Sequence, residues 1–383
     1  MATQRKSKGK RKIIRHNTAA NQEKHRADWL PLAPNELGIV ADRRILPRDE
    51  RVRRLSLEAA SARSIAASFD DSAWEAAAAT TGHALGLVVE ISQGLCRVAV
   101  DGRSRLCDIR GTLTAEGSGF TNIVAVGDRV LVSLPEPDHG LVEQVLPRRS
   151  ALARPDSFAR HLKQVIAANA DQLLIVASWR EPRLWRELID EYLIAAARNN
   201  LDAVICVNKI DLAGDVAECR AATQAYADLG YHLLFTSAKT YAGLDDLRAA
   251  LRGKSTVLAG LSGVGKSSLL SAVEPGLKLQ TKSVSPKSGE GRHATTQAIM
   301  LPLRDGGYVI DTPGIRELGL RGLRRTELIE FYPEIEAAAA RCRFSDCSHI
   351  REQACGVKAA VAAGAIAEWR FENYQKLRRK LPA

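Results

Sequence analysis

Gly260-Leu261-Ser262-Gly263-Val264-Gly265-Lys266-Ser267 fits the pattern G-x-x-x-x-G-K-[ST]. Glycines at these spacings let a backbone curl until successive N–H groups converge on a phosphate. A helix beginning at Lys266 would add its positive end. Lys266 is placed to reach β- and γ-phosphates, the Ser267 hydroxyl to ligate Mg²⁺, and Ser268 to join the nucleotide contacts. This group selects a nucleoside triphosphate without selecting its base.

Two other groups address the base. Asn208-Lys209-Ile210-Asp211 is an N-K-x-D run directly after the apolar stretch Ala203–Val207. A carboxylate at Asp211 can accept from guanine N1–H and N2–H₂, a pair of donors that adenine lacks. Asn208 is expected to tie this loop to the phosphate loop, with the Lys209 stem over the base or the loop. Ser237-Ala238-Lys239 follows at the end of the next apolar run and resembles a second guanine-contacting box. Asp311-Thr312-Pro313-Gly314, after Tyr308-Val309-Ile310, is a D-x-x-G element: Asp311 for the outer shell of Mg²⁺, the Gly314 N–H for the γ-phosphate. The order is base box, base box, phosphate loop, D-x-x-G. Ras-like GTPases run phosphate loop, D-x-x-G, base boxes, so the domain is expected to be circularly permuted.

Thr281 to Thr296 is a long polar connection rich in Gly and Ser, where a γ-phosphate orders a switch. A threonine from it would ligate Mg²⁺; Thr295 and Thr296 both qualify, with Thr296 preferred. Ile315 follows Gly314, where Ras-like proteins carry a water-orienting glutamine, so slow intrinsic hydrolysis is expected. His293 is the sequence candidate for positioning water; the alternative is a solvated loop histidine.

The last chemical group is Cys342-x4-Cys347-x-His349-x5-Cys355. Three thiolates and an imidazole suit a closed, tetrahedral, structural Zn²⁺ site, which leaves no position for a reacting water. Cys96, Cys107, Cys206 and Cys219 stand in or beside apolar runs and read as buried small hydrophobes.

The elements that would hold these groups are legible in outline. Leu85–Ile91, Leu95–Val100, Ile123–Val132 and Gly140–Val145 read as short strands, with Asp101-Gly102 as a hairpin turn. Such a run suggests a small closed barrel, an oligonucleotide-binding (OB) fold or another small β-domain. From about residue 160, strands over 171–177, 203–207, 232–236 and 255–259 alternate with helices over 184–198, 216–229, 243–251 and from Lys266. That alternation implies a mostly parallel sheet covered on both faces. Residues 27–80 carry no recognisable chemistry, although 55–79 could be helical.

The net charge of +11 points to a polyanionic partner, nucleic acid before membrane. No apolar stretch is long enough to cross a bilayer. The basic opening Arg5–Lys12 lacks the apolar run of a secretory signal, so a cytoplasmic protein is expected. That basic arm reads as a solubilising tail or a phosphate contact. The basic stretch Trp369–Lys380 reads as a helix that faces either RNA or solvent.

Taken together, the motifs resemble the ribosome small subunit-dependent GTPase A family. The resemblance runs from about Gly82 onward and rests on the barrel-like segment, N-K-I-D, S-A-K, G-L-S-G-V-G-K-S, G-R-H-A-T-T, D-T-P-G-I-R-E-L-G and the C-x4-C-x-H-x5-C ligands. It implies a multidomain chain: a basic extension (1–80), an OB-fold RNA-binding domain (81–152), a permuted α/β P-loop GTPase domain (153–320) and a mostly helical zinc domain (321–383). It further implies a monomer that binds the small ribosomal subunit and its rRNA late in assembly and hydrolyses GTP to GDP faster there. The family's proposed catalytic histidine falls on His293. Ala294 departs from the family's usual threonine, and residues 27–80 exceed its usual amino terminus. Two other readings stay open: an RNA-binding module with a purely structural nucleotide pocket, and a permuted GTPase of the large subunit.

Overall fold

The computed structural model describes residues 71–92, 95–113, 120–155, 162–275, 277, 298–312 and 320–382. The basic arm, the stretch 27–70, the switch with His293, Ala294, Thr295 and Thr296, and Gly314 with Ile315 lie outside the described residues.

Five strands close a barrel: β1 (Ala84–Ser92), β2 (Leu95–Val100), β3 (Arg103–Ile109), β4 (Arg129–Ser133) and β5 (His139–Val145). Their order is β1-β2-β3-β5-β4, and β1 returns to pair with β4 through Ala84↔Val132 to Leu87↔Arg129. Closure abolishes the sheet edges that an open five-stranded sheet would expose. Valines dominate the interior: Val88, Val98, Val100, Val124, Val130, Val132 and Val142 pack with Cys96 and Cys107. Asp101 (φ 50°) and Gly102 (φ 73°) form the tight β2–β3 turn, whose two left-handed residues match the twist of the strands. Helix α1 (Asp71–Thr81) packs Trp74 and Ala78 on Leu85, Leu131 and Leu146. The end of the amino-terminal extension is therefore part of the barrel body.

The sequence reading of a strand over 123–132 is half right. Only Arg129–Ser133 is extended, because Asp128 is fully buried and takes its donors locally. Its carboxylate accepts from Ala125 N at 2.7 Å and from Arg148 Nε and Nη2 at 2.7 and 2.8 Å. A buried carboxylate needs such partners, and here it bends the chain against the apolar alternation.

The second layer system is a six-stranded sheet built from β8 (Gln172–Ser178), β9 (Asp202–Asn208), β10 (His232–Phe235), β11 (Ser255–Ala259), β12 (Ile299–Pro302) and β13 (Tyr308–Asp311). The order is β10-β9-β8-β11-β13-β12, parallel throughout except for antiparallel β12. Helices α2 (Arg186–Arg198), α3 (Val216–Asp228), α4 (Leu244–Leu251) and α5 (Lys266–Val273) cover it. Every residue of β8 is buried, as expected for a strand covered on both faces. The barrel joins this sheet at its edge, through Glu90 of β1 opposite Ile299 of β12. A hairpin of β6 (Ala151–Pro155) and β7 (Lys163–Ala168) bridges the two bodies. Val165 N donates to Asn122 Oδ1 at 2.8 Å, and Asn169 Nδ2 donates to Gly127 O at 2.9 Å.

Among the described residues the carboxy-terminal region has a 3₁₀ turn, Leu328–Phe331, and three α-helices: α6 (Pro333–Ala339), α7 (Gly356–Ala362) and α8 (Glu368–Lys380). Their apolar faces share one core with Ile194 of α2. At its centre Arg370 pairs with Asp190 of α2, both buried, and donates to Glu334 Oε1 at 2.7 Å. Asp190 also accepts from Tyr226 OH at 2.7 Å, Asn373 Nδ2 at 2.9 Å and Tyr332 OH at 3.3 Å. The Arg370 guanidinium lies 4.2 Å from the Tyr332 ring centroid. The basic stretch 369–380 is thus a helix whose inner face, through Arg370, holds two domains together, while Lys376, Arg379 and Lys380 stand exposed on its outer face.

Candidate functional site

Because β8, β9, β10, β11 and β13 run parallel, their carboxy-terminal ends meet along one edge of the sheet. That edge is where open α/β sheets bind ligands. Asn208 ends β9 beside Ser178 of β8, Asp311 ends β13 beside Leu258 of β11, and the phosphate loop leaves β11 at Gly260. The parallel register thus gathers all four nucleotide motifs, scattered from 208 to 311 in the chain.

The loop Gly260–Gly265 leads directly into α5, which begins at Lys266. Gly265 has φ 94°, and a Cβ there would strike the Asn208 side-chain nitrogen, so both its conformation and its neighbour demand glycine. Lys266 Nζ donates to the carbonyls of Gly260 and Leu261 at 2.9 and 2.8 Å. Burial lowers its pKa, and the nearby Asp311 carboxylate offsets only part of that shift. Ser262, Gly263 and Ser268 lie on the exposed side of the loop and helix, while Val264 anchors it in the core.

The two base boxes are hydrogen-bonded to each other and to this loop. Asn208, itself buried, donates through Nδ2 to Val264 O at 2.8 Å. Its Oδ1 accepts from Ala238 N at 3.4 Å. Ser237 Oγ donates to Asp211 Oδ1 at 2.6 Å, and Ile210 N donates to Thr236 O at 3.2 Å. Lys209 adopts a left-handed backbone (φ 61°) and donates to Glu181 O, in the loop that precedes α2. Lys239 is exposed. Hydrogen bonds thus run from Ala238 through Asn208 to the phosphate loop, and the Ser237–Asp211 bond ties the two boxes together beside it.

The sulfur and nitrogen atoms of Cys342, Cys347, His349 and Cys355 all lie within 4.8 Å of one another. Cys342 Sγ and Cys355 Sγ are 3.8 Å apart, and His349 Nδ1 stands 3.6 and 3.5 Å from them. Tetrahedral Zn²⁺ with bonds of about 2.3 Å to sulfur and about 2.0 Å to nitrogen needs edges of roughly 3.5 to 3.8 Å, which the Cys342, His349 and Cys355 separations match, with Cys347 completing the group within 4.8 Å. Backbone N–H groups of Gly356 and Lys358 approach Cys342 Sγ and Cys355 Sγ at 3.3 and 3.5 Å, as thiolates require. Burial, reinforced by Arg378, lowers the pKa of His349 and favours the neutral imidazole of a ligand.

Two features of these sites escape sequence reasoning. Glu352 gathers the loop that presents His349. It accepts from Ser348 Oγ at 2.7 Å, Ser348 N at 2.9 Å, and Ile350 and Arg351 N at 3.1 Å each. These bonds, the Ser348 hydroxyl first, hold its carboxyl well below the usual range. The Ser348-x3-Glu352 spacing was the available signal, but it is common in loops. The Glu181 carbonyl that receives Lys209 carries no side-chain signature at all.

The comparisons with known proteins agree with this geometry. The model for the RsgA GTPase family matches residues 145–321. A relative from Moorella thermoacetica, described as small ribosomal subunit biogenesis GTPase RsgA, is 41% identical over 73% of this chain and 91% of its own length. A relative of the same description from Thermotoga maritima is 39% identical over 76% and 95%. The crystal structure of YjeQ from Thermotoga maritima superposes with a TM-score of 0.63 at 36% identity, covering 78% of this chain and 98% of that one. The circularly permuted GTPase YloQ gives 0.59 at 27%, covering 78% and 95%. With its motifs gathered on one sheet edge in permuted order, this chain belongs to the RsgA GTPase family.

Proposed function

We propose that the chain binds GTP with Mg²⁺ at the edge formed by Asn208–Asp211, Ser237–Lys239, Gly260–Ser268 and Asp311, and hydrolyses it while assisting late maturation of the small ribosomal subunit. The observation that carries the nucleotide reading is the bond from Asn208 to Val264, which makes base recognition and phosphate recognition one rigid unit. Asp211 reads the guanine edge, Lys266 holds the β- and γ-phosphates, and Ser267 ligates Mg²⁺. By family resemblance Thr296 adds a second Mg²⁺ ligand, Gly314 meets the γ-phosphate and His293 positions water; all three lie outside the described residues. The small subunit enters through the relatives, whose descriptions name its biogenesis.

The described architecture supports the division into a barrel over 81–152, a GTPase domain over 153–320 and a zinc domain over 321–383. Arg103, Arg110, Arg149 and Lys163 are exposed on and beside the barrel, where they suit rRNA phosphates. Among the described residues no helix is long and apolar enough to cross a membrane. A monomer acting in the cytoplasm with the ribosome fits this reading. A purely structural nucleotide pocket is less well supported, because Lys266 and Asp311 are held within electrostatic reach of each other at the phosphate end.

The deciding measurement is GTP hydrolysis by the full chain alone, with isolated small subunits and with large subunits. Small subunits alone are expected to accelerate turnover. Equal rates in all three would remove the proposed partner, and acceleration by large subunits only would transfer it.

We assign structural Zn²⁺ to Cys342, Cys347, His349 and Cys355. Metal analysis of the purified chain is expected to give about one zinc per molecule. The Cys355→Ser variant should lose it and expose the core around Leu328, Tyr332 and Tyr374 to proteolysis. A parent protein with no bound zinc would refute the assignment.

A further inference from the structure

Beyond the four motifs, one more piece of chain reaches the candidate nucleotide edge: the loop 179–185 that joins β8 to α2. Its carbonyl at Glu181 accepts from Lys209 Nζ of the first base box. The Lys209 stem lies against the phosphate loop, with Cε 4.0 Å from where a Cβ on Gly265 would stand. Pro182 borders the same loop, its Cδ 3.9 Å from the corresponding point on Gly263. The two residues that meet, Glu181 (φ 57°) and Lys209 (φ 61°), both hold the left-handed backbone that a Cβ disfavours. The sheet does not require this contact, because β8 and β9 already pair residue by residue from Gln172↔Asp202 to Ser178↔Asn208. Backbone outliers of this kind cluster at ligand sites.

We propose that Ser178 is a positioning residue for guanine-nucleotide binding, acting through the loop 179–185 on Lys209. The inference rests on the nucleotide reading under the proposed function and adds the part that holds the lysine. Ser178 ends β8 and is buried, and its Oγ donates to Pro182 O at 2.6 Å. That bond closes the turn and fixes the residue next to the carbonyl that receives Lys209. Trp179 N donates to Asn208 O at 2.9 Å, which starts the loop on the backbone of the base box, and Leu184 N donates to Trp179 O at 3.2 Å. A lysine is a flexible four-carbon stem with three donors at its tip. Untethered, it must be ordered each time a base arrives, at a cost in side-chain entropy. Tethered to a fixed carbonyl, the stem offers a preformed apolar face to a flat base. Asp211 then selects the base by its hydrogen bonds, and Lys209 supplies the surface that holds it. The γ-phosphate takes no part in this strut, so GTP and GDP should feel its loss alike.

The test measures the affinity of the full chain for N-methylanthraniloyl derivatives of GTP and GDP, with the hydrolysis rate at saturating GTP as a second reading. Ser178→Ala is expected to weaken both nucleotides by about threefold to tenfold, the range of one ordinary hydrogen bond, while the saturating rate stays within about twofold. Ser178→Thr keeps the hydroxyl, with the small cavity that Ser178 lines beside it for the extra methyl, and should restore binding. Lys209→Met keeps the stem without the ammonium. It should weaken both nucleotides, and Ser178→Ala added to it should cost less than about twofold more, because the two changes break one strut. An undiminished cost of Ser178→Ala in the Lys209→Met background would show a general structural role and overturn the inference. So would a loss below about threefold for Ser178→Ala alone, or a loss confined to GTP. A parent that binds neither nucleotide would overturn the proposed function itself, and this role with it.

Discussion

Replacing Asp211 with asparagine is expected to exchange guanine preference for xanthine preference. In the structure Ser237 Oγ holds one carboxylate oxygen at 2.6 Å, and the Thr240 N–H in turn donates to Ser237 Oγ at 3.1 Å. An asparagine carbonyl can occupy the same place, which turns its NH₂ toward the base. Guanine then presents its N2–H₂ donors to another donor, whereas xanthine presents an acceptor at that position. Two charge-assisted hydrogen bonds of about 1.5–3 kcal/mol each are at stake. GTP affinity should therefore fall by roughly a hundredfold or more, and xanthosine triphosphate should gain in the same competition assay. Melting temperature should hardly change, because Ser237 keeps an acceptor. Unaltered GTP preference in Asp211→Asn would show that another residue reads the base.

The candidate nucleotide motifs were legible because each of them is local. N-K-I-D, S-A-K and the glycine-rich loop each fit within a few residues, and each follows an apolar run that forms a parallel strand. The cluster of Cys342, Cys347, His349 and Cys355 was legible for the same reason. What escaped depends on partners far away in sequence. Asp190 looks like one more acidic residue on an amphipathic helix, and its meaning comes from Arg370, 180 residues later. The antiparallel strand β12 is only Ile299–Pro302 and ends in proline, so it carries no periodic signal; pairing with β13 and with Glu90 of the barrel makes it a strand. Strand β3, Arg-Ser-Arg-Leu-Cys-Asp-Ile, hides its alternation beneath arginines that lie over the barrel surface. The half-wrong strand over 123–132 fails at Asp128, whose need for donors outranks a valine-rich pattern.

Permutation acquires a mechanical meaning from these contacts. The sequence places D-x-x-G just before the zinc domain, so the chain from Asp311 leads there directly. The structure adds a second connection that does not pass through that segment. Helix α2 follows the loop whose Glu181 carbonyl receives Lys209, and the same helix carries Asp190 into the zinc-domain core. The barrel meets the GTPase sheet at β12, the strand that follows the switch sequence. Both flanking domains thus dock on elements adjoining the candidate nucleotide site, so that under the proposed function a partner held by either one could bias that site through contacts already formed.

The Asp190→Leu variant is expected to separate the carboxy-terminal domain from the GTPase domain. Leucine keeps the branched shape of the lost carboxylate, though it is bulkier, but leaves Arg370 with Glu334 alone, and it removes the acceptor of the Tyr226 and Tyr332 hydroxyls and of the Asn373 amide. Breaking a buried pair from one side typically costs about 3–5 kcal/mol, most of it the uncompensated partner. The reciprocal change Arg370→Met should cost less, because Asp190 keeps three donors when the guanidinium is gone. Lys380→Ala serves as the control. Its pairs with Glu187 and Glu191 are solvent-exposed and worth about 1 kcal/mol or less. Calorimetry of the full chain should therefore show a carboxy-terminal transition several degrees lower in Asp190→Leu, a smaller shift in Arg370→Met and almost none in Lys380→Ala. Zinc content should be retained in all three, since the ligands lie in a loop cluster with its own Glu352 brace. The ordering matters more than any single value: if Arg370→Met were as damaging as Asp190→Leu, the arginine rather than the carboxylate would be the hub of the interface.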